Sequence, residues 1–268
     1  MTTSTERRTR GYTDIGGHRT WFADSGGGGE PVLVLHGGIS DSELLLDPLE
    51  PALGERFRIL AFDRRGHGRT ADTNAAFHYD DMATESIAAI EKLIGDPAHL
   101  LGWSDGGNVA LLVALRRPDL VRSLVLIGSN YHFDGNLPTQ SGGSGPPKSL
   151  QDRYAERSPD GREHFAAVVG KSRAMWAAEP TLTTDDLRRI SAPALVMVGD
   201  DDLMTLAHTA SLYESLPLGQ LAVVPGTSHA VVLEKPELVG RLIGDFLSAP
   251  GKPETHMPKR RRSARRLA

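Results

Sequence analysis

Short runs of Val, Leu and Ile recur along the chain, separated by longer stretches in which apolar residues return every three or four positions. PVLVLHGG (31–38), FRILAFD (57–63), AHLLGW (98–103), LVRSLVLIG (120–128), APALVMVGD (192–200) and QLAVVPG (220–226) are bounded by Gly, Pro or Asp. Near-continuous apolar runs of this length are expected of strands buried on both faces. Between them, DDMATESIAAIEKLIG (80–95) places Met82, Ile87, Ile90 and Leu93 on one helical face and ends on Gly95. PELVGRLIGDFL (236–247) opens with Pro, as a helix start does. The alternation predicts an α/β fold with a mostly parallel sheet flanked by helices. TRGYTDIG and RTWFADSG near the N-terminus suit an antiparallel hairpin at its edge.

From about Asn130 to about Arg189 the alternation stops. The stretch opens on NLPTQSGGSGPP, a cluster of breakers, and continues with helical patterns around Tyr154 and from Glu163 to Trp176. An excursion of this length between strands is uncommon unless functional. It is expected to be a small helical lid inserted after the sixth strand. The expected organisation is a core of residues 10–129 and 190–248, a lid of 130–189, and a basic tail of 249–268.

Composition narrows the class. A chain of 268 residues with 39% hydrophobic and 24% charged residues is that of an ordinary soluble globular protein. No apolar run reaches the ~20 residues of a membrane span. MTTSTERRTRGYTDIGG has no apolar segment of the secretory kind, and the absence of cysteine removes disulfides and thiolate chemistry. A cytoplasmic location is expected. Net charge is −4, and KRRRSARR (259–266) carries six cations, leaving −10 for the rest. With no aromatic interleaving and no second basic face, the tail is expected to be a solvated terminus. No nucleic-acid or membrane partner is expected, only a small-molecule substrate.

The chemistry centres on Gly102-Trp103-Ser104-Asp105-Gly106, which matches G-x-S-x-G between a strand run and the helix-like GGNVALLVAL. The pattern has a steric reason: a serine on a tight strand-to-helix turn has strained backbone angles and needs small neighbours. A serine hydroxyl also needs a base. Of ten histidines, His229 lies in PGTSHAVVLEKP, between the last strand run and the final helix, where open α/β sheets gather their sites. His18, His78, His99, His132, His164, His208 and His256 read as surface or core residues. The base needs an acid, and GDDDLMT (199–205) offers Asp200, Asp201 and Asp202 after a strand. Only one of the three can face a single imidazole; the others suit turns or caps.

VLHGG, FDRRGHGRT, GWSDGG, VGDDD and GTSHAVVLEKP, in this order over residues 10–248, resemble the α/β-hydrolase fold serine hydrolases. The resemblance implies a Ser104, Asp202, His229 triad, selecting Asp202 among its neighbours. It implies oxyanion-hole amides on Gly38 and Asp105, each donor worth typically ~3 kcal/mol. It assigns Asp63, His67 and Arg69 of the second motif to scaffold. Haloalkane dehalogenases and epoxide hydrolases of this fold carry aspartate at the elbow, so Ser104 argues against both. The elbow is most similar to biphenyl-hydrolase-like (valacyclovir hydrolase-type) esterases, in which the aspartate after the nucleophile binds a substrate amine.

That leaves the Asp105 side chain with two readings. A carboxylate in the first turn of a helix is favoured by the dipole by ~0.3–1 kcal/mol. It would also attract a substrate carrying an amine near its ester carbonyl. Trp103 and Trp176 are the other candidates for substrate contact. The expected reaction is ester hydrolysis through an acyl-enzyme, with no metal or organic cofactor. Perhydrolysis of the haloperoxidase-like kind, lactone opening and carbon–carbon bond hydrolysis are alternatives on the same triad. A non-catalytic ligand receptor is the alternative outside enzymes.

Overall fold

A computed structural model describes residues 9–137, 145–251, 253 and 255–257. The basic stretch 259–266 and part of the breaker cluster lie outside the described residues. The N-terminal hairpin forms as expected: β1 (Thr9–Ile15) and β2 (His18–Asp24) pair antiparallel, turning on Gly16 and Gly17 at φ 62° and 85°. Positive φ at both positions is the geometry a two-residue hairpin loop favours.

Each apolar run becomes a strand: β3 (Glu30–Leu35), β4 (Phe57–Phe62), β5 (Ala98–Trp103), β6 (Val121–Ile127), β7 (Ala194–Asp201) and β8 (Gly219–Ser228). The eight strands form one sheet in the order β1-β2-β4-β3-β5-β6-β7-β8, parallel from β4 onward. The helices in chain order are α1 (Ser42–Leu46), α2 (Glu50–Leu53), α3 (Tyr79–Ala89), α4 (Asp105–Arg116), α5 (Lys148–Arg157), α6 (Phe165–Trp176), α7 (Thr184–Arg188), α8 (Leu206–Ser215), α9 (Val231–Glu234) and α10 (Pro236–Ser248). The segment expected as a single helix over 80–95 is α-helical only to Ala89. A π-type turn over Ile90–Ile94 then closes on Gly95 at φ 76°. The period-3.6 reading was sensitive to the apolar face and not to this change of winding.

Strand side chains alternate between two buried clusters, one on each face of the sheet. Leu33, Leu35, Leu100, Leu124 and Leu126 join α3, α4 and α6 on one face. Val32, Val34, Leu101, Val125 and Ile127 join Leu45, Leu53, Val239 and Ile243 on the other. The period of two along each strand therefore builds both layers at once. The family of short apolar runs is explained by this double burial. Among the described residues no helix is long and apolar enough to cross a membrane.

The stretch between β6 and β7 contributes α5, α6 and α7 above the C-terminal ends of the strands. α6 buries Phe165, Val168, Val169 and Met175 in the same cluster as Tyr79 and Met82 of α3. A set of polar attachments runs to the loops that follow β3 and β4. Asp72, whose side chain is 1% exposed, accepts Lys171 Nζ at 2.6 Å and pairs with His164 Nε2 at 2.9 Å and Arg65 at 3.1 Å. Arg153 and Arg157 of α5 reach Asp41 and Glu43.

Another attachment titrates. Tyr131, at the start of this stretch, stacks on His208 of α8 with ring centroids 4.1 Å apart, and its N–H donates to His208 Nε2 at 3.2 Å. That bond requires an unprotonated Nε2. Burial, reinforced by His132, pushes His208 down to about 4. The unfolded chain would bind this proton near 6.5, so its contribution to stability is complete above that pH and is lost as pH falls toward 4. Tm should therefore fall on acidification across this window. His208→Gln should lose on the order of 2–4 °C less in Tm than the wild type between pH 7 and 4.5. Parallel loss in the two proteins would contradict the assignment.

Candidate active site

Ser104 follows β5 directly and caps the N-terminus of α4. Its backbone sits at φ 54° and ψ −121°, a conformation that L residues with a Cβ rarely adopt. The turn is held by Ser104 N–H donating to Ile127 O at 2.7 Å and Gly107 N–H donating to Ser104 O at 2.9 Å. The flanking glycines are steric necessities. A Cβ on Gly106 would strike the Leu35 carbonyl, and one on Gly102 would strike the backbone of Gly106 and Gly107. The G-x-S-x-G spacing thus packs the helix start against β3 and β5 and leaves Ser104 half-buried at the sheet's C-terminal edge.

The acid and the histidine meet as the sequence order suggests. Asp202, its side chain fully buried just after β7, pairs through Oδ1 with His229 Nδ1 at 2.7 Å. Burial pushes the Asp202 carboxyl up, but His229 and the backbone N–H groups of Met204 and Gly199 outweigh it and hold the group below its ordinary value. His229 follows β8 and is about a fifth exposed. Gly128, at the end of β6, fits beneath the pair: a Cβ there would lie 2.9 Å from His229 Nδ1 and 3.2 Å from Asp202 Oδ2. Asp200 instead accepts Thr227 N–H at 3.1 Å across the β7–β8 junction, and Asp201 is exposed at the strand end. Of the three aspartates, Asp202 alone is paired with His229.

Gly37 and Gly38 follow β3 and lie against the elbow. A Cβ on Gly37 would be 3.5 Å from Ser104 Cβ, and the space beside Gly38 is filled by the Asp105 carboxylate and the Trp176 ring. Asp105 itself, 4% exposed, is clasped from two directions. Tyr79 Oη donates to Oδ1 at 2.7 Å, and Trp176 Nε1 donates to Oδ1 at 2.9 Å and lies 3.1 Å from Oδ2. The carboxylate thus stands at the start of α4 and joins α3 to the last turn of α6. Tyr79 is pushed up, by burial first and then by Asp105, so its hydroxyl stays a donor.

Trp103 faces the histidine loop. It is 8% exposed, its Nε1 donates to the His229 carbonyl at 3.0 Å, and its ring centroid is 5.9 Å from that of His229. The second motif sits where a scaffold would. Asp63 is fully buried and accepts Ser42 N–H, Ser42 Oγ and Arg69 N–H; burial still pushes it up to about 6. Tyr79, Gly128 and Arg64 are neighbours of the site that the motifs did not single out.

An eight-stranded, mostly parallel sheet with serine at a strained strand–helix elbow and an Asp–His pair after the last two strands, β7 and β8, defines the class. The alpha/beta hydrolase family model matches residues 32–242, and the chain belongs to that family. It is similar to a non-heme haloperoxidase of Rhodococcus erythropolis, 27% identical over 264 residues, covering 85% of this chain and 96% of the relative. It is also similar to serine hydrolase BPHL of Homo sapiens, 24% identical over 251 residues, covering 87% of this chain and 84% of the relative. Among solved structures, a serine hydrolase involved in carbazole degradation, the CarC enzyme, matches with a TM-score of 0.75. That match covers 90% of this chain and 99% of that one at 22% identity, and it is a likeness of fold.

Proposed function

We propose that the protein hydrolyses a carboxylic ester of a small molecule through an acyl-enzyme on Ser104. The observation that carries this reading is the Asp202–His229 contact at 2.7 Å after β7 and β8, in a sheet whose β5 ends in a serine held at φ 54°. With Nδ1 engaged by Asp202, Nε2 is the nitrogen left to take the Ser104 proton as Oγ attacks the acyl carbon. The backbone N–H groups of Gly38 and Asp105 receive the oxyanion. His229 then gives its proton to the leaving alcohol. Water, deprotonated by the same histidine, attacks the acyl-enzyme and releases the acid. Asp202 holds the tautomer and stabilises the imidazolium. In this reading α5, α6 and α7, the described helices between β6 and β7, form a lid, with Trp176 its contact to the elbow. Peroxide replacing water in the last step would give a peracid, as the similarity to a non-heme haloperoxidase suggests. Product analysis with and without peroxide separates the two.

The disposition of Asp105 bears on the substrate. Both carboxylate oxygens already face the Trp176 and Tyr79 donors in a buried setting. An incoming ammonium would meet a carboxylate that is 4% exposed and already engaged by two donors, with acceptor capacity left mainly on Oδ2. We therefore take Asp105 as a clasp between elbow and lid, and expect kcat/KM for an α-amino-acid ester and its N-acetyl analogue to agree within about threefold, a difference of under about 1 kcal/mol. A free-amine preference of tenfold or more that collapses in Asp105→Asn would make the carboxylate a substrate anchor and contradict the clasp.

A further inference from the structure

Arg64 is the largest fully buried side chain among the described residues, and its guanidinium is poorly accounted for. Nε and Nη1 are buried with no hydrogen-bond partner. A permanent cation left partly unpaired in the interior is costly, and such groups usually answer to a function. The polar contact it does make is directed. Nη2 donates to Gly37 O at 3.2 Å, and the same atom lies 3.2 Å from His36 Nδ1.

Gly37 O is held by two further donors. Ser40 Oγ donates to it at 3.0 Å, and His36 Nδ1 lies 2.7 Å away. His36 Nε2 accepts the Arg64 N–H at 3.1 Å, so the ring proton is on Nδ1 and points at Gly37 O. Burial, then the charge of Arg64, pushes His36 well down, which keeps the ring neutral and that tautomer in place. A peptide carbonyl gripped by three donors has little freedom to rotate. The Gly37–Gly38 bond is trans, so its carbonyl and its N–H point in opposite directions. Gripping the Gly37 carbonyl therefore also fixes the direction of the Gly38 N–H, in a turn where a Cβ on Gly37 would lie 3.5 Å from Ser104 Cβ.

We propose that Arg64 is a positioning residue of the oxyanion hole, pinning the Gly37 carbonyl together with Ser40 and His36 so that the Gly38 N–H stays aimed at the reacting carbonyl. The inference rests on the acyl-enzyme reading above. Two electrostatic consequences follow. Hydrogen bonds to a carbonyl polarise the amide and make its N–H a stronger donor. A buried cation behind the peptide also favours negative charge developing in front of it. Asp105 is among the groups that stabilise the Arg64 charge, with Glu85 and Asp63. The guanidinium thus offsets a carboxylate placed next to the point where an oxyanion must form.

The test uses p-nitrophenyl acetate as substrate and an aryl trifluoromethyl ketone, which forms a tetrahedral adduct with a serine, as inhibitor. Arg64→Met should lower kcat about 10- to 100-fold, less than the ~10²–10³ typical of a whole oxyanion donor. KM should stay within about twofold, and the ketone inhibition constant should rise by the same factor as kcat falls. Ser40→Ala, a smaller change that keeps the guanidinium, should move both quantities in the same direction by about three- to tenfold, and it decides the matter if Arg64→Met does not fold. Unchanged kcat and ketone inhibition in a folded variant, or an effect confined to KM, would overturn the proposal. Wild-type turnover by Ser104→Ala would instead overturn the underlying reading.

Discussion

Ser104→Ala is expected to lower kcat for ester hydrolysis by at least about 10⁴-fold while leaving the fold intact. The size follows from the chemistry. Without Oγ no acyl-enzyme forms, and the remaining elements can only orient water against a bound ester. The retained fold follows from the position: Ser104 is half-buried, and alanine removes one oxygen from a residue whose backbone bonds to Ile127 and Gly107 do not involve the side chain. Alanine keeps the Cβ, so the strain at φ 54° is unchanged. Circular dichroism and Tm should match the wild type. Substantial turnover by the variant would place the nucleophile elsewhere.

Asp202→Asn should be nearly as damaging, on the order of 10⁴-fold in kcat, by a different route. The amide is isosteric with the carboxylate and can still meet His229 Nδ1. It can do so as a donor, which would place the imidazole proton on Nε2, the nitrogen that must be free to accept from Ser104. It also removes the charge that stabilises the imidazolium. Because Asp202 is fully buried and is held below the ordinary carboxylate range, its charge in the wild type persists to lower pH than a free aspartate would allow. Loss of activity on mild acidification is accordingly not assigned to protonation of Asp202. A kcat within tenfold of wild type for Asp202→Asn would show that the contact to His229 is not used in turnover.

The fold was readable because its signals are local. A strand buried on both faces must be apolar at successive positions, and all six such runs became strands within two or three residues of their expected ends. The G-x-S-x-G elbow was readable for a related reason: its glycines are fixed by backbone contacts that any side chain would violate. Chain order alone brought Asp202 and His229 to adjacent strand ends. What sequence could not supply was the partnership of Asp105. Its two donors lie 26 and 71 positions away, on α3 and α6, and no periodicity links those positions. Dipole and amine readings were both consistent with a carboxylate in that first turn; the clasp required knowing how the stretch between β6 and β7 folds back. Arg64 was hidden differently. It sits in FDRRGHGRT beside residues that do serve as scaffold, and an arginine in a loop gives no sign that it is fully buried with its charge directed at a glycine carbonyl.

The acyl-enzyme on Ser104 is the central claim, and rapid-quench mass spectrometry with p-nitrophenyl acetate tests it most directly. The account predicts that protein quenched during turnover carries one acetyl group, that peptide mapping places it on Ser104, and that Ser104→Ala carries none. Turnover without an adduct on Ser104, or an adduct that maps to another residue, would contradict it.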